Sequence, residues 1–169
     1  SIPGLRFDGT DDYLNFDLSK IVNSSYTIFI VEQRNNILAN FIIAGNNLGN
    51  NTAINLGYNG SSPQNIRFGH FGSGNDADFT ALTYAPKNPT IHTFNFNGSF
   101  GKKYSRNGSI IGTSAQTSPL SSNNSVTIGK FGSGYYNGDL AEIIILKRSL
   151  KTEEVKAIEN YLGSKYGIS

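Results

Sequence analysis

The sequence predicts an all-β fold, a sandwich of two antiparallel sheets closed by one short C-terminal helix. Three observations predict it. The composition suits short strands joined by many turns, with 37% of residues hydrophobic, 15% charged and 19 glycines among 169. Several segments alternate apolar and polar residues and then end at a glycine or Asn-Gly turn. Only after Leu150 does the period change, where Val155, Ile158 and Leu162 fall at i, i+3 and i+7 on one helical face. The length suits a single domain, residues 1–169, with room for a two-sheet core.

Each element follows in order. Leu5 and Phe7 alternate, Asp8-Gly9 turns, and Tyr13-Leu14 resumes an extended segment. From Tyr26 to Gln33 both faces are apolar: Tyr26, Ile28 and Ile30 on one, Thr27, Phe29 and Val31 on the other. That strand is central. Ile37 to Ala44 and Ala53 to Tyr58 are further strands, the second ending at the turn Asn59-Gly60. Asn65 to Phe71 runs into the polar loop from Gly72 to Asp78. Ile91 to Gly98 and Lys103 to Gly112 form a meander punctuated by Asn-Gly. Phe71-Gly72-Ser73-Gly74 recurs as Phe131-Gly132-Ser133-Gly134, which reads as two strands ending in similar glycine turns rather than as a repeat protein.

Leu140 to Leu146 carries one charge, Glu142, and reads as a strand covered on both faces. Simple alternation puts Glu142 beside Leu140, Ile144 and Leu146. A carboxylate so placed needs hydrogen bonds or a basic partner, for which Arg6 and Arg148 are the candidates. Thr152 is the expected N-cap of the helix, Glu153 and Glu154 favour its dipole, and Gly163 or Gly167 ends it.

The end of the chain resembles the laminin-G-like and concanavalin A-like lectin/glucanase jelly-roll domains. The resemblance rests on the run from Gly138 to Ile145, on Arg148-Ser149-Leu150, on Glu154, and on Ile158 to Leu162 with Lys165-Tyr166-Gly167. Phe7-Asp8-Gly9 with Asp11-Asp12-Tyr13 matches at the opening, and Tyr104 to Gly108 matches in the middle. It implies a concanavalin A-like jelly-roll sandwich of two antiparallel sheets. It is silent on ligand, because that fold hosts lectins, glycosidases, adhesion modules and inert structural domains.

Several function classes are excluded at this level. Glycosidases of the family carry a Glu-x-Asp-x-Glu strand or a near variant, since two carboxylates must flank one bond, and no such pattern occurs. His70 and His92 are the only histidines and there is no cysteine, so neither a zinc site nor a thiol nucleophile has ligand spacing behind it. A net charge of +2, scattered along the chain, does not make a nucleic-acid groove. No run is long and apolar enough for membrane insertion. The expectation is a non-enzyme.

A binding surface remains. Sugars are held by aromatic faces and by planar Asn and Asp side chains, and the loops offer Tyr58, His70, Asn75, Asp76, Asp78, Tyr84, Tyr135, Tyr136 and Asn137. Asn75, Asp76 and Asp78 also provide oxygen ligands for Ca²⁺. Asp8, Asp11 and Asp12 are a second such set, with an Asx-turn as the competing reading. The sequence thus supports a glycan or surface-receptor partner for an extracellular, cell-surface or virion-surface module. The alternative is a decoration domain that contacts other subunits of a virion, fibre or bacterial surface assembly.

Overall fold

The computed structural model describes residues 2–36, 40–46, 48–59, 62–80 (backbone only for 62–64), 87–122 and 125–168. One six-stranded antiparallel sheet runs β1 (Leu5–Asp8), β14 (Asn137–Leu146), β3 (Tyr26–Arg34), β8 (Thr90–Asn97), β9 (Gly101–Arg106), β10 (Ser109–Ser114). The second, also six-stranded, runs β2 (Leu14–Phe16), β11 (Val126–Ile128), β4 (Phe41–Gly45), β5 (Asn55–Asn59), β6 (Ser62–Gly69), β7 (Asp76–Thr80). A small ribbon joins β12 (Lys130–Phe131) to β13 (Gly134–Tyr135). The chain is a jelly-roll sandwich of two antiparallel sheets with one C-terminal helix, α1 (Thr152–Tyr166). The expected turn at Asn59-Gly60 and the start of the strand expected from Ile37 lie outside the described residues.

Two cores follow from the two-faced strands. Tyr26, Ile28 and Ile30 of β3 enter the core between the sheets with Leu56, Phe68, Phe94 and Tyr104. Phe29 and Val31 turn the other way, to a second core with Leu150 and Leu162, against which Val155 and Ile158 pack. Helix α1 therefore lies on the outer face of the first sheet. Burying a side chain such as Leu162 contributes about 1.5–3 kcal/mol, which holds a short helix that propensity by itself would not.

Two local expectations are corrected. Thr152 is the first helical residue and Lys151 is the N-cap; Glu154 reaches back to accept the Lys151 N–H at 2.9 Å. Gly167, at φ 66°, ends the helix in the left-handed conformation. In β14 the register against β3 shifts between Leu140 and Glu142. This bulge adds Ala141 and reverses the parity expected from alternation. Leu140, Ile143 and Ile145 face the main core, whereas Ala141, Ile144 and Leu146 face the helix. Glu142 sits on the helix side, bonded to Lys165 Nζ at 2.8 Å and Tyr166 Oη at 2.9 Å rather than to Arg6 or Arg148. Arg6 pairs instead with Asp139, and Arg148 with Glu154.

Candidate functional site

The second sheet presents its outer face as a cleft of about 340 Å³. Alternation builds it. On β5, Leu56 and Tyr58 turn into the core and Asn55, Gly57 and Asn59 turn out; on β6, Phe68 turns in and Arg67 out. Gly57, at φ +128°, leaves room for the irregular pairing of β4 with β5: a Cβ there would lie 2.6 Å from the Ile42 nitrogen. Phe41, Phe71 and Phe131 supply aromatic surface around this polar floor. Phe41 and Phe131 pack edge to face with centroids 5.1 Å apart.

Phe71 and Phe131 are the first residues of the two Phe-Gly-Ser-Gly stretches. The fold brings both phenylalanines to one cleft. Phe71 has φ +60°, a conformation that costs a non-glycine residue about 1–2 kcal/mol. Its surroundings hold it there: Phe71 N–H donates to Asp76 Oδ1 at 2.9 Å, and Asn51 N–H donates to the Phe71 carbonyl at 3.1 Å.

From beneath, buried Lys102 anchors the same loop. Its ammonium donates to the Asn75 carbonyl and to Gln116 Oε1, and Gln116 Nε2 donates to the Asp76 carbonyl. Burial pulls Lys102 down to about 8, partly offset by Asp76. His70 lies beside it. Burial, then the Lys102 charge, lower His70 to about 3 against the opposing bond to the Ser118 carbonyl. Since that carbonyl only accepts, Nδ1 carries the proton and Nε2 accepts from Tyr26 Oη at 2.7 Å.

The charges of the cleft are paired. Arg67 Nε and a terminal nitrogen donate to both oxygens of Asp78 at 2.8 and 2.7 Å, and its other nitrogen lies 3.5 Å from Asp76. Asn59 Nδ2 also donates to Asp78. One acceptor is left over. Among the described residues, the buried side-chain oxygens without a hydrogen-bond partner are Asn51 Oδ1 and Asn55 Oδ1, and Asn55 lines the cleft. Leaving such an acceptor buried and unpaired costs about 1–3 kcal/mol, a cost that a donor entering the cleft and reaching Asn55 would relieve.

The structure divides the sequence-based candidates. Asp76 and Asp78 lie at the cleft through Arg67. Tyr135 and Asn137 line a shallow neighbouring cleft, which shares Asn40 with the first. Asn75 is buried, its carbonyl accepting from Lys102 and its side-chain amide donating to the Phe71 carbonyl at 3.4 Å. Tyr84 lies outside the described residues.

His70 and Tyr136 are corrected from loop surface to interior, whereas Tyr58 is buried and also lines the cleft. The phenols of Tyr58 and Tyr136 donate to Glu32 Oε1 and Oε2, and His92 Nε2 donates to Oε1 at 2.8 Å. His92 Nδ1 in turn meets Tyr104 Oη at 2.8 Å. Glu32 is thus the carboxylate buried in the main core, where the sequence pointed to Glu142 as the embedded charge. Burial pushes it up, but bonds from His92, Tyr136 and Tyr58 outweigh this and hold it below the ordinary carboxylate range. Sequence reasoning missed it although the signal was there: Glu32 continues the inward parity of Tyr26, Ile28 and Ile30.

For a metal, Asn75, Asp76 and Asp78 fit poorly, because both carboxylates already neutralise one guanidinium. Asp8, Asp11 and Asp12 place carboxylate oxygens within 4.8 Å of one another. Two of those carboxylates also accept backbone N–H groups, Thr10 to Asp8 and Asp8 to Asp12, as an Asx-turn does.

No protein-family model matches the sequence, and no curated protein matches it. Solved structures match the fold. The heptameric pentraxin of Limulus polyphemus superposes with TM-score 0.67 at 15% identity, over 91% of this chain and 80% of that one. The CBM40 domain of the Ruminococcus gnavus IT-sialidase gives TM-score 0.68 at 16% identity, over 92% and 96%. The same domain is also solved with α2,3-sialyllactose bound. A putative carbohydrate-binding protein of Bacteroides ovatus gives 0.69 at 13%, over 90% of this chain and 46% of that one. At these identities the likeness is one of fold.

Proposed function

We propose that the chain is a non-catalytic glycan-recognition module of an extracellular, cell or virion surface, and that the outer cleft of the second sheet is its binding site. The observation that carries this is the joint presence of Phe71 and Phe131 with an unpartnered buried acceptor, Asn55 Oδ1. Aromatic faces take the C–H side of a sugar and planar amides take its hydroxyls. The fold's likeness to carbohydrate-binding domains supports the same reading. So does the chemistry of the acids: Asp76 and Asp78 are committed to Arg67, which suits positioning better than proton transfer.

A glycan array tests it. Specific hits should weaken at least tenfold in Phe131→Ala while the melting curve stays cooperative. Hits unchanged in that variant would move the site elsewhere, and no hits would remove the reading. In this proposal Ca²⁺ belongs to Asp8, Asp11 and Asp12. Calorimetric uptake that disappears in Asp11→Asn supports that assignment, and absence of uptake by the wild type ends it.

One observation favours the second reading, assembly with other subunits. Between the edge strands β1 and β2 lies an apolar groove of about 500 Å³, with Leu5 56% and Leu14 43% exposed. A decoration domain would give no array hits and would co-purify with its partner in a defined assembly, and Leu14→Asp would abolish that association.

A further inference from the structure

We infer that the cleft selects uncharged sugars, those presenting a hydroxyl or acetamido N–H to Asn55, and discriminates against sialic and uronic acids. The inference rests on the proposed glycan site and narrows it. Two features, one of charge and one of hydrogen bonding, lead to it independently.

The first is charge. Arg67 is the cation among the lining residues, and it is spent: Asp78 takes it through two parallel bonds and Asp76 stands 3.5 Å away. One guanidinium and two carboxylates, with the buried Lys102 ammonium beside Asp76, come to about zero net charge, so the floor holds no free cation to receive an incoming carboxylate. Other charges nearby do not reverse this. Lys102 is buried below Asp76, Glu32 and Arg34 are both buried beneath Tyr58, and the Lys130 ammonium lies over the Tyr13 and Tyr135 rings.

The second is hydrogen-bond polarity. Asn55 Oδ1 is an acceptor without a donor. A sugar hydroxyl or an acetamido N–H satisfies it; an ionised carboxylate has no proton to give and would set acceptor against acceptor. Sialic and uronic acids carry hydroxyl donors as well, so the discrimination falls on their carboxylate, which Asn55 Oδ1 cannot receive. The Ruminococcus gnavus domain, of similar fold, is solved with a sialylated sugar.

The test is an array of matched glycan pairs, each printed with and without a terminal sialic acid, alongside neutral and uronic-acid polysaccharides. The wild type should prefer the neutral member of each pair it recognises at least tenfold. Asp78→Asn removes one of the two charges held by Arg67 and should narrow that ratio by at least threefold. Equal or stronger binding of the acidic members by the wild type overturns the inference and leaves the glycan reading standing. Absence of binding to every member removes the glycan reading, and this inference with it. A ratio unchanged in a folded Asp78→Asn protein overturns the charge argument.

Discussion

Lys165 Nζ lies 2.8 Å from Glu142 Oε2, so the last turn of α1 is tied to the strand it covers, just after the bulge. The bond from Lys165, with that from Tyr166, holds Glu142 below the ordinary carboxylate range despite partial burial. Its contribution is present above the unfolded pKa and is lost as pH falls through the folded one, below the usual range for Glu. Both groups reach solvent, so the effect is small. Glu142→Ala should lower Tm by about 1–3 °C and leave glycan affinity unchanged. A folded variant of full stability with lost binding would place Glu142 in a site.

Glu32 behaves differently. Removing it leaves two phenols and an imidazole N–H buried with no acceptor, all within the main core. Glu32→Ala should cost about 3–5 kcal/mol, measured by urea denaturation. A loss under 1 kcal/mol would show that water replaces the carboxylate.

Lys102 gives the fold an alkaline signature. Its pKa is about 8 in the fold against an ordinary 10.5, so between those values the unfolded chain holds the extra proton and stability rises with pH. The buried phenols of Tyr26, Tyr58, Tyr104 and Tyr136 are all raised, so above about pH 10 the unfolded chain ionises first and stability falls. Denaturation curves should therefore strengthen by about 1 kcal/mol from pH 8 to 9 and level off, then weaken, as the tyrosines of the unfolded chain ionise. Lys102→Met should flatten that climb. A wild-type curve already flat from pH 8 to 9 contradicts the desolvated ammonium.

Phe71 supplies a backbone test. At positive φ a glycine is unstrained, so Phe71→Gly should be more stable than Phe71→Ala by about 1 kcal/mol, although both remove the ring from the cleft. Alanine equal to glycine would mean that the loop relaxes out of this conformation.

Much of the fold was legible because β3 and α1 carry their packing in their periodicity. Tyr26, Ile28 and Ile30 against Phe29 and Val31 state two buried faces outright, and Val155, Ile158 and Leu162 state which helix face meets them. The bulge was not legible, since Ala141 fits either side of a strand. The site was legible in pieces. The Phe-Gly-Ser-Gly echo is visible in the sequence, but only the topology carries Phe71 and Phe131 to one cleft. The burial of Tyr58 and Tyr136 was not legible because a tyrosine near a turn looks the same whether its hydroxyl reaches water or a hidden carboxylate. Glu32 escaped notice because a charge near a strand's end reads as an exit to solvent.

The order in which strands fill the sheets has a consequence for biogenesis. β3 finds its neighbour β14 only after more than a hundred further residues, and β4 likewise waits for β11. As the chain leaves the ribosome, its earliest strand with two apolar faces is therefore unsatisfied on one edge until the last strand emerges. Pairings this distant make folding slow and expose the nascent chain to misassociation. Helix α1 arrives last of all, and only then is the outer face of the first sheet withdrawn from chaperones, neighbouring chains and proteases.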